Sequence, residues 1–137
     1  MKSIKYYNTS IPISEESKIQ KGTIPTLKKD EKSIAYFLYE TIFNHPYQYT
    51  SNEVLFNAYI LKNEIEEADI KKHKIQFFSK KQLDLRGSSL VITYGWGIHF
   101  NPQGKIALIG VDADLYAQLL NDTSIQKIKA LKTKRKK

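Results

Sequence analysis

The residues whose types could do chemistry together are His99, Arg86, Tyr94 and Trp96, gathered in one stretch of the 137-residue chain. Histidine titrates near neutrality and arginine presents a planar fork of donors to a carboxylate or phosphate. Tyrosine and tryptophan add broad apolar faces with one polar handle each. The set can be read in two ways: His99 is a partly exposed strand histidine beside a helix or loop, or the residues form a shallow pocket for a polar or anionic ligand. An enzyme with His99 as general acid or base and Arg86 as anion clamp is the alternative. Other chemistry is poorly supplied. The chain has no cysteine and three scattered histidines, His45, His73 and His99, with no pair at metal-ligand spacing, so neither a metal nor a cofactor is expected. Asp112 and Asp114 read as acids in the first turn of a helix and not as a catalytic pair.

His99 is positioned by a β-hairpin. Asn101-Pro102-Gln103-Gly104 has the composition of a tight turn, with proline preset and glycine where a left-handed conformation is wanted. The register follows: Phe100 faces Ile106, His99 faces Ala107, Ile98 faces Leu108, Gly97 faces Ile109 and Trp96 faces Gly110. Alternation places Trp96, Ile98, Phe100, Ile106 and Leu108 on a core face. Gly97, His99, Asn101, Lys105, Ala107 and Ile109 share the other face, where small neighbours leave space around the imidazole.

Around this hairpin, residues 4–13 read as a strand ended or edged by Pro12, and 14–29 as loop. Asp30 to Ser33 begins a helix that stops at His45-Pro46. Thr50 and Glu53 have capping-box spacing before the apolar run 54–61, which leans to helix. A charged helix follows over 64–78, with His73 solvated and Phe77-Phe78 as anchors. Residues 86–95 fit either a strand or a short helix capped by Ser88. A helix from Asp112 packs through Leu115, Tyr116, Leu119 and Leu120, and Thr123-Ser124 restarts the chain for Ile125, Ile128 and Leu131 at helical spacing. The fold class expected is α+β, with an antiparallel sheet holding the 96–111 hairpin and helices packed mainly on one side.

Charge divides the chain in two. The net +8 comes from 22 basic and 14 acidic residues, and seven of the basic ones fall after residue 126. Without them 15 basic residues stand against 14 acidic, so the body has no basic face of the kind that nucleic-acid-binding domains display. The expected organisation is one globular domain over 1–126 and a basic, disordered tail over 127–137. Lys132, Lys134, Arg135, Lys136 and Lys137 in that tail could give weak, salt-sensitive association with nucleic acid. The chain starts without an apolar signal-peptide stretch and contains nothing near the roughly 20 apolar residues of a membrane span. A cytoplasmic protein without membrane contact is expected.

Several segments together carry a resemblance: Tyr6-Tyr-Asn-Thr9, Pro46-Tyr-Gln-Tyr-Thr-Ser51, Val54-Leu-Phe56, Phe77-Phe-Ser-Lys80, Leu85-Arg86, Tyr94-Gly-Trp-Gly-Ile-His99 and Gly104-Lys-Ile-Ala-Leu108. The chain resembles a family of small bacterial proteins known as a domain of unknown function, over about residues 5 to 116. Tyr-Gly-Trp-Gly-Ile-His is the most specific piece. The family pattern has proline where this chain has Ser89 and cysteine where it has Asp84, so no thiol role carries over. The resemblance implies a single bacterial domain of this length and no activity. The favoured function is a small binding module for a polar or anionic ligand or a protein partner.

Overall fold

Side-chain alternation and one turn build the centre of the fold. Strand β2 (Trp96–Phe100) pairs antiparallel with β3 (Ile106–Gly110) in the expected register, from Phe100 opposite Ile106 to Trp96 opposite Gly110. The turn closes because Asn101 Oδ1 accepts from the backbone N–H of Gln103 and of Lys105, at 2.9 Å each. Gly104 supplies the left-handed residue at φ 81°. A computed structural model of the chain describes residues 6–27, 29–79 and 85–131.

The sheet has four strands in the order β3-β2-β1-β4, with β1 at Thr9–Ile11 and β4 at Gln126–Lys127. β1 runs antiparallel to β2 but parallel to β4, so the sheet is mixed where a purely antiparallel one was expected. The reason lies in the chain after residue 121. Ile125, Ile128 and Leu131 carry helical spacing, yet the segment is extended: Ile128 N–H donates to Ser10 at 3.0 Å and Leu131 N–H to Arg86 at 2.9 Å. Pairing with an open strand edge overrides a weak local preference. β1 is therefore interior, and the expected boundary after residue 126 falls inside β4.

One face of the sheet is covered by helices α1 (Ile34–Asn44), α2 (Ser51–Lys62) and the short α4 (Ser89–Ile92). Their buried residues Leu38, Ile42, Val54, Ala58, Leu90 and Val91 join Trp96, Ile98, Phe100, Ile106 and Leu108 in one core. α1 starts at a Ser33 cap and not at Asp30, and α2 has the full Thr50/Glu53 capping box. α4 settles the 86–95 stretch as a short helix, capped by Ser88 and followed by Gly95 at φ 83°. The opposite face carries a smaller cluster: Ala107 and Ile109 from the sheet, Leu119 from α5 (Asp114–Asn121), and Ile125. Asp112 lies outside α5, and its carboxylate accepts instead from Gly22 N–H at 3.1 Å.

Helix α3 (Ile70–Ser79), preceded by a 3-10 turn at Glu67–Asp69, contributes no buried residue. It starts later than the expected residue 64, which takes a left-handed φ of 52°. Aromatic contacts hold α3 against α2: Phe56 meets Phe77 and Phe78 at 5.2 and 5.6 Å between centroids, and Tyr59 meets Phe77 at 5.0 Å.

Close approach fixes the hairpin's second face. A Cβ at Gly97 would lie 2.9 Å from the Tyr116 ring and 3.3 Å from the Ile11 carbonyl oxygen. The ring is itself held, because its hydroxyl accepts from Ile13 N–H at 2.9 Å. Gly97→Ala is expected to lower unfolding free energy by about 1–3 kcal/mol, the usual range for overpacking, read from urea midpoints; an unchanged midpoint would show that α5 yields freely.

Candidate functional site

The sequence places His99 among small neighbours, and the fold fills the space they leave. His99 stands opposite Ser10 and Ala107. Tyr47, from the link between α1 and α2, crosses to this face and its hydroxyl meets His99 Nδ1 at 2.8 Å, with the rings at 87°. His99 Nε2 is buried and has no hydrogen-bond partner among the described residues. Burial holds the imidazole below its ordinary pKa, and the Asp122 carboxylate opposes this in part. Burial likewise raises the Tyr47 phenol, which stays protonated.

The other three predicted residues take different partners. Arg86 Nε donates to the Lys129 carbonyl oxygen at 2.7 Å and so ties down the C-terminal strand segment. The Tyr94 hydroxyl lies 3.4 Å from Thr26 Oγ1, and its carbonyl oxygen accepts from Thr23 N–H at 2.8 Å. Trp96 points to the face opposite His99, between Tyr39 and Phe43 at 5.6 Å each, and its indole N–H donates to Thr23. Arg86 and Tyr94 precede the strand and Trp96 lies on its other face, so Tyr47, 52 residues away, is the neighbour His99 acquires. The tail cations from Lys132 to Lys137 lie outside the described residues.

A second location is defined by the helices. A cleft of about 690 Å³ lies between α1, α2 and α3. α1 contributes Thr41 and His45, and the link contributes Tyr49. α2 lines it with Asn52, Glu53, Phe56, Asn57 and Ile60, and α3 with Ile70, Lys74 and Phe78. Helical geometry explains the selection, since Ile70, Lys74 and Phe78 recur every four residues and share one stripe of α3. Phe56 and Ile60 form the matching stripe on α2.

Most polar groups in the cleft are already bound. Asn57 Nδ2 donates to Thr41 Oγ1 at 3.0 Å, and Glu53 Oε1 accepts from Thr50 N–H at 2.9 Å within the capping box. His45 Nδ1 lies 3.0 Å from the Thr41 carbonyl oxygen. A carbonyl only accepts, so Nδ1 carries a proton and donates it. Lys74 has no hydrogen bond or ion pair among the described residues. His73, expected to be solvated, instead bonds through Nδ1 to the Tyr59 hydroxyl at 3.0 Å and braces α3 on α2. Sequence reading misses the cleft, although its signal was present in the four-residue spacing of Ile70, Lys74 and Phe78.

Among the described residues no cluster of three metal-ligating side chains occurs, and no helix is long and apolar enough to cross a membrane. The chain matches the model of a family of unknown function, DUF6157, over residues 1–136, and belongs to that family. No curated protein and no solved structure matches it.

The His99 environment has a consequence for stability. The folded chain binds a proton at His99 less readily than the unfolded chain, whose value is about 6.5. The unfolded state therefore takes up more protons in the window below that value, and stability falls as pH drops through it. Urea midpoints at pH 7.5 and 5.5 are expected to show this loss, and His99→Asn, which retains an acceptor for Tyr47, should reduce it. Equal losses in both proteins would assign the pH dependence to other groups.

Proposed function

We propose that this family member is a binding module for a small ligand, seated in the cleft between α1, α2 and α3. The observation carrying this reading is the cleft itself. Its volume of about 690 Å³ falls within the roughly 300–1,000 Å³ of small-molecule sites. Its walls combine apolar stripes from two helices with a few polar groups, the arrangement that buries a ligand's body and orients its head. α3 has no buried residue and is held on α2 by aromatic contacts, so a larger occupant would displace one peripheral helix and leave the sheet intact.

A second reading retains His99, because its buried Nε2 is a polar atom without a partner. A buried polar group of this kind costs free energy unless a water or ligand atom meets it. On this reading a polar ligand contacts His99 beside Tyr47, and Arg86, Tyr94 and Trp96 act in holding the surrounding chain. Enzymatic use of His99 needs a further group at Nε2, and Arg86 is engaged at Lys129. We place the module in the cytoplasm on composition, since a chain without cysteine suits a reducing compartment.

A thermal-shift screen of the full chain against small carboxylates, phosphates, alcohols and amines separates the two readings. A ligand at a hundred times its dissociation constant adds about 2.7 kcal/mol, which for a domain of this size raises Tm by several degrees. The cleft reading expects hits that disappear in Ile60→Trp, which fills the cleft, and persist in His99→Asn. The reverse pattern would transfer the site to His99.

A further inference from the structure

We infer that the ligand of the cleft is an amphipathic acid, a single carboxylate on an apolar body, with Lys74 as the residue that selects the charge. This rests on the reading of the cleft as a ligand site and adds the chemistry of the occupant. His73 meets Tyr59 and Phe78 meets Phe56, so α3 runs antiparallel to α2. Lys74 is thus level with the later turns of α2, while Glu53 sits in its first turn. No ion pair joins the two, and the Glu53 carboxylate is engaged by the Thr50 N–H. Lys74 thus makes no ion pair with the one carboxylate that lines the cleft.

The apolar residues set the other half of the ligand. Lys74 lies between Ile70 and Phe78 on its own stripe and faces the stripe of Phe56 and Ile60. A charged head at Lys74 therefore has apolar surface on both sides along the cleft. A small hydrophilic anion would leave that surface in water, and a neutral apolar molecule would gain nothing from the exposed Lys74 ammonium. Besides Glu53, the other polar side chains of the lining are Thr41, His45, Tyr49, Asn52 and Asn57. Asn57 donates to Thr41 Oγ1, and His45 Nδ1 donates to the Thr41 carbonyl oxygen. Among the lining residues Lys74 is the standing cationic donor.

Lys71, Lys72 and Lys74 are all exposed on α3 and only Lys74 lines the cleft, so the other two supply an internal control for general charge attraction. Calorimetric titration of the full chain with octanoate, octan-1-ol and octylamine tests the inference, with Ile60→Trp reporting the site. Octanoate is expected to bind at least tenfold more tightly than octan-1-ol, a difference of about 1.4 kcal/mol, and octylamine more weakly than either. Lys74→Gln should erase the preference for the acid and leave alcohol binding unchanged, whereas Lys72→Gln should leave both unchanged. If the alcohol binds as well as the acid and Ile60→Trp blocks both, the acid inference fails and the cleft stands. Equal loss in Lys74→Gln and Lys72→Gln would also overturn the assignment, as general attraction to a basic helix. If no probe binds, or binding survives Ile60→Trp, the cleft reading and the inference fall together.

Discussion

Both candidate locations depend on how the link between α1 and α2 is held to the sheet. Ile106 bonds it from both sides of its own backbone: its carbonyl oxygen accepts from Tyr47 N–H at 2.8 Å, and its N–H donates to Tyr49 at 2.9 Å. Thr50 then bridges to Lys105. Tyr47 takes a left-handed φ of 62°, an uncommon conformation outside glycine that persists where the surroundings enforce it. These bonds set the angle between α1, which ends at His45, and α2, which starts after Thr50. They also send Tyr47 under the sheet to His99 while His45 and Tyr49 remain in the cleft. One short segment thereby ties the hairpin's second face to the walls of the helical site.

The two faces of the hairpin divide labour accordingly. The core face, with Trp96 against Tyr39 and Phe43 and Phe100 against Tyr6, is aromatic, and its Trp96 contacts hold α1. The second face is polar at its centre, where His99 and Tyr47 hold one another and α5 closes over Gly97. Beyond both, α3 adds a surface that the core does not need. A helix with no buried residue contributes little to global stability.

What was legible in the sequence follows the range of the interactions. The hairpin register, the Asn101–Gly104 turn and the Thr50/Glu53 box depend on residues within a few positions of each other, and all were readable. The parallel strand β4 was not, because two residues of strand carry no pattern and the pairing is made with β1, more than a hundred positions away. His99 was identifiable as a residue in unusual surroundings, but Tyr47 reaches it only through the Ile106 bonds. Arg86 and Tyr94 looked close because they are close in the chain, yet a helix and a left-handed glycine intervene before the strand. The cleft was least visible. Its residues come from three helices whose relative placement is set by packing of Phe56 and Tyr59 on Phe77, and Phe77-Phe78 read as ordinary core anchors.

The central claim, that the α1–α2–α3 cleft is the ligand site, is tested most directly by mapping amide chemical-shift changes on the full chain as octanoate is added. The account predicts changes concentrated at Thr41, His45, Phe56, Ile60, Lys74 and Phe78, with the β2–β3 strands unmoved. Changes centred on His99, Ser10 and Ala107, with the helices silent, would contradict it.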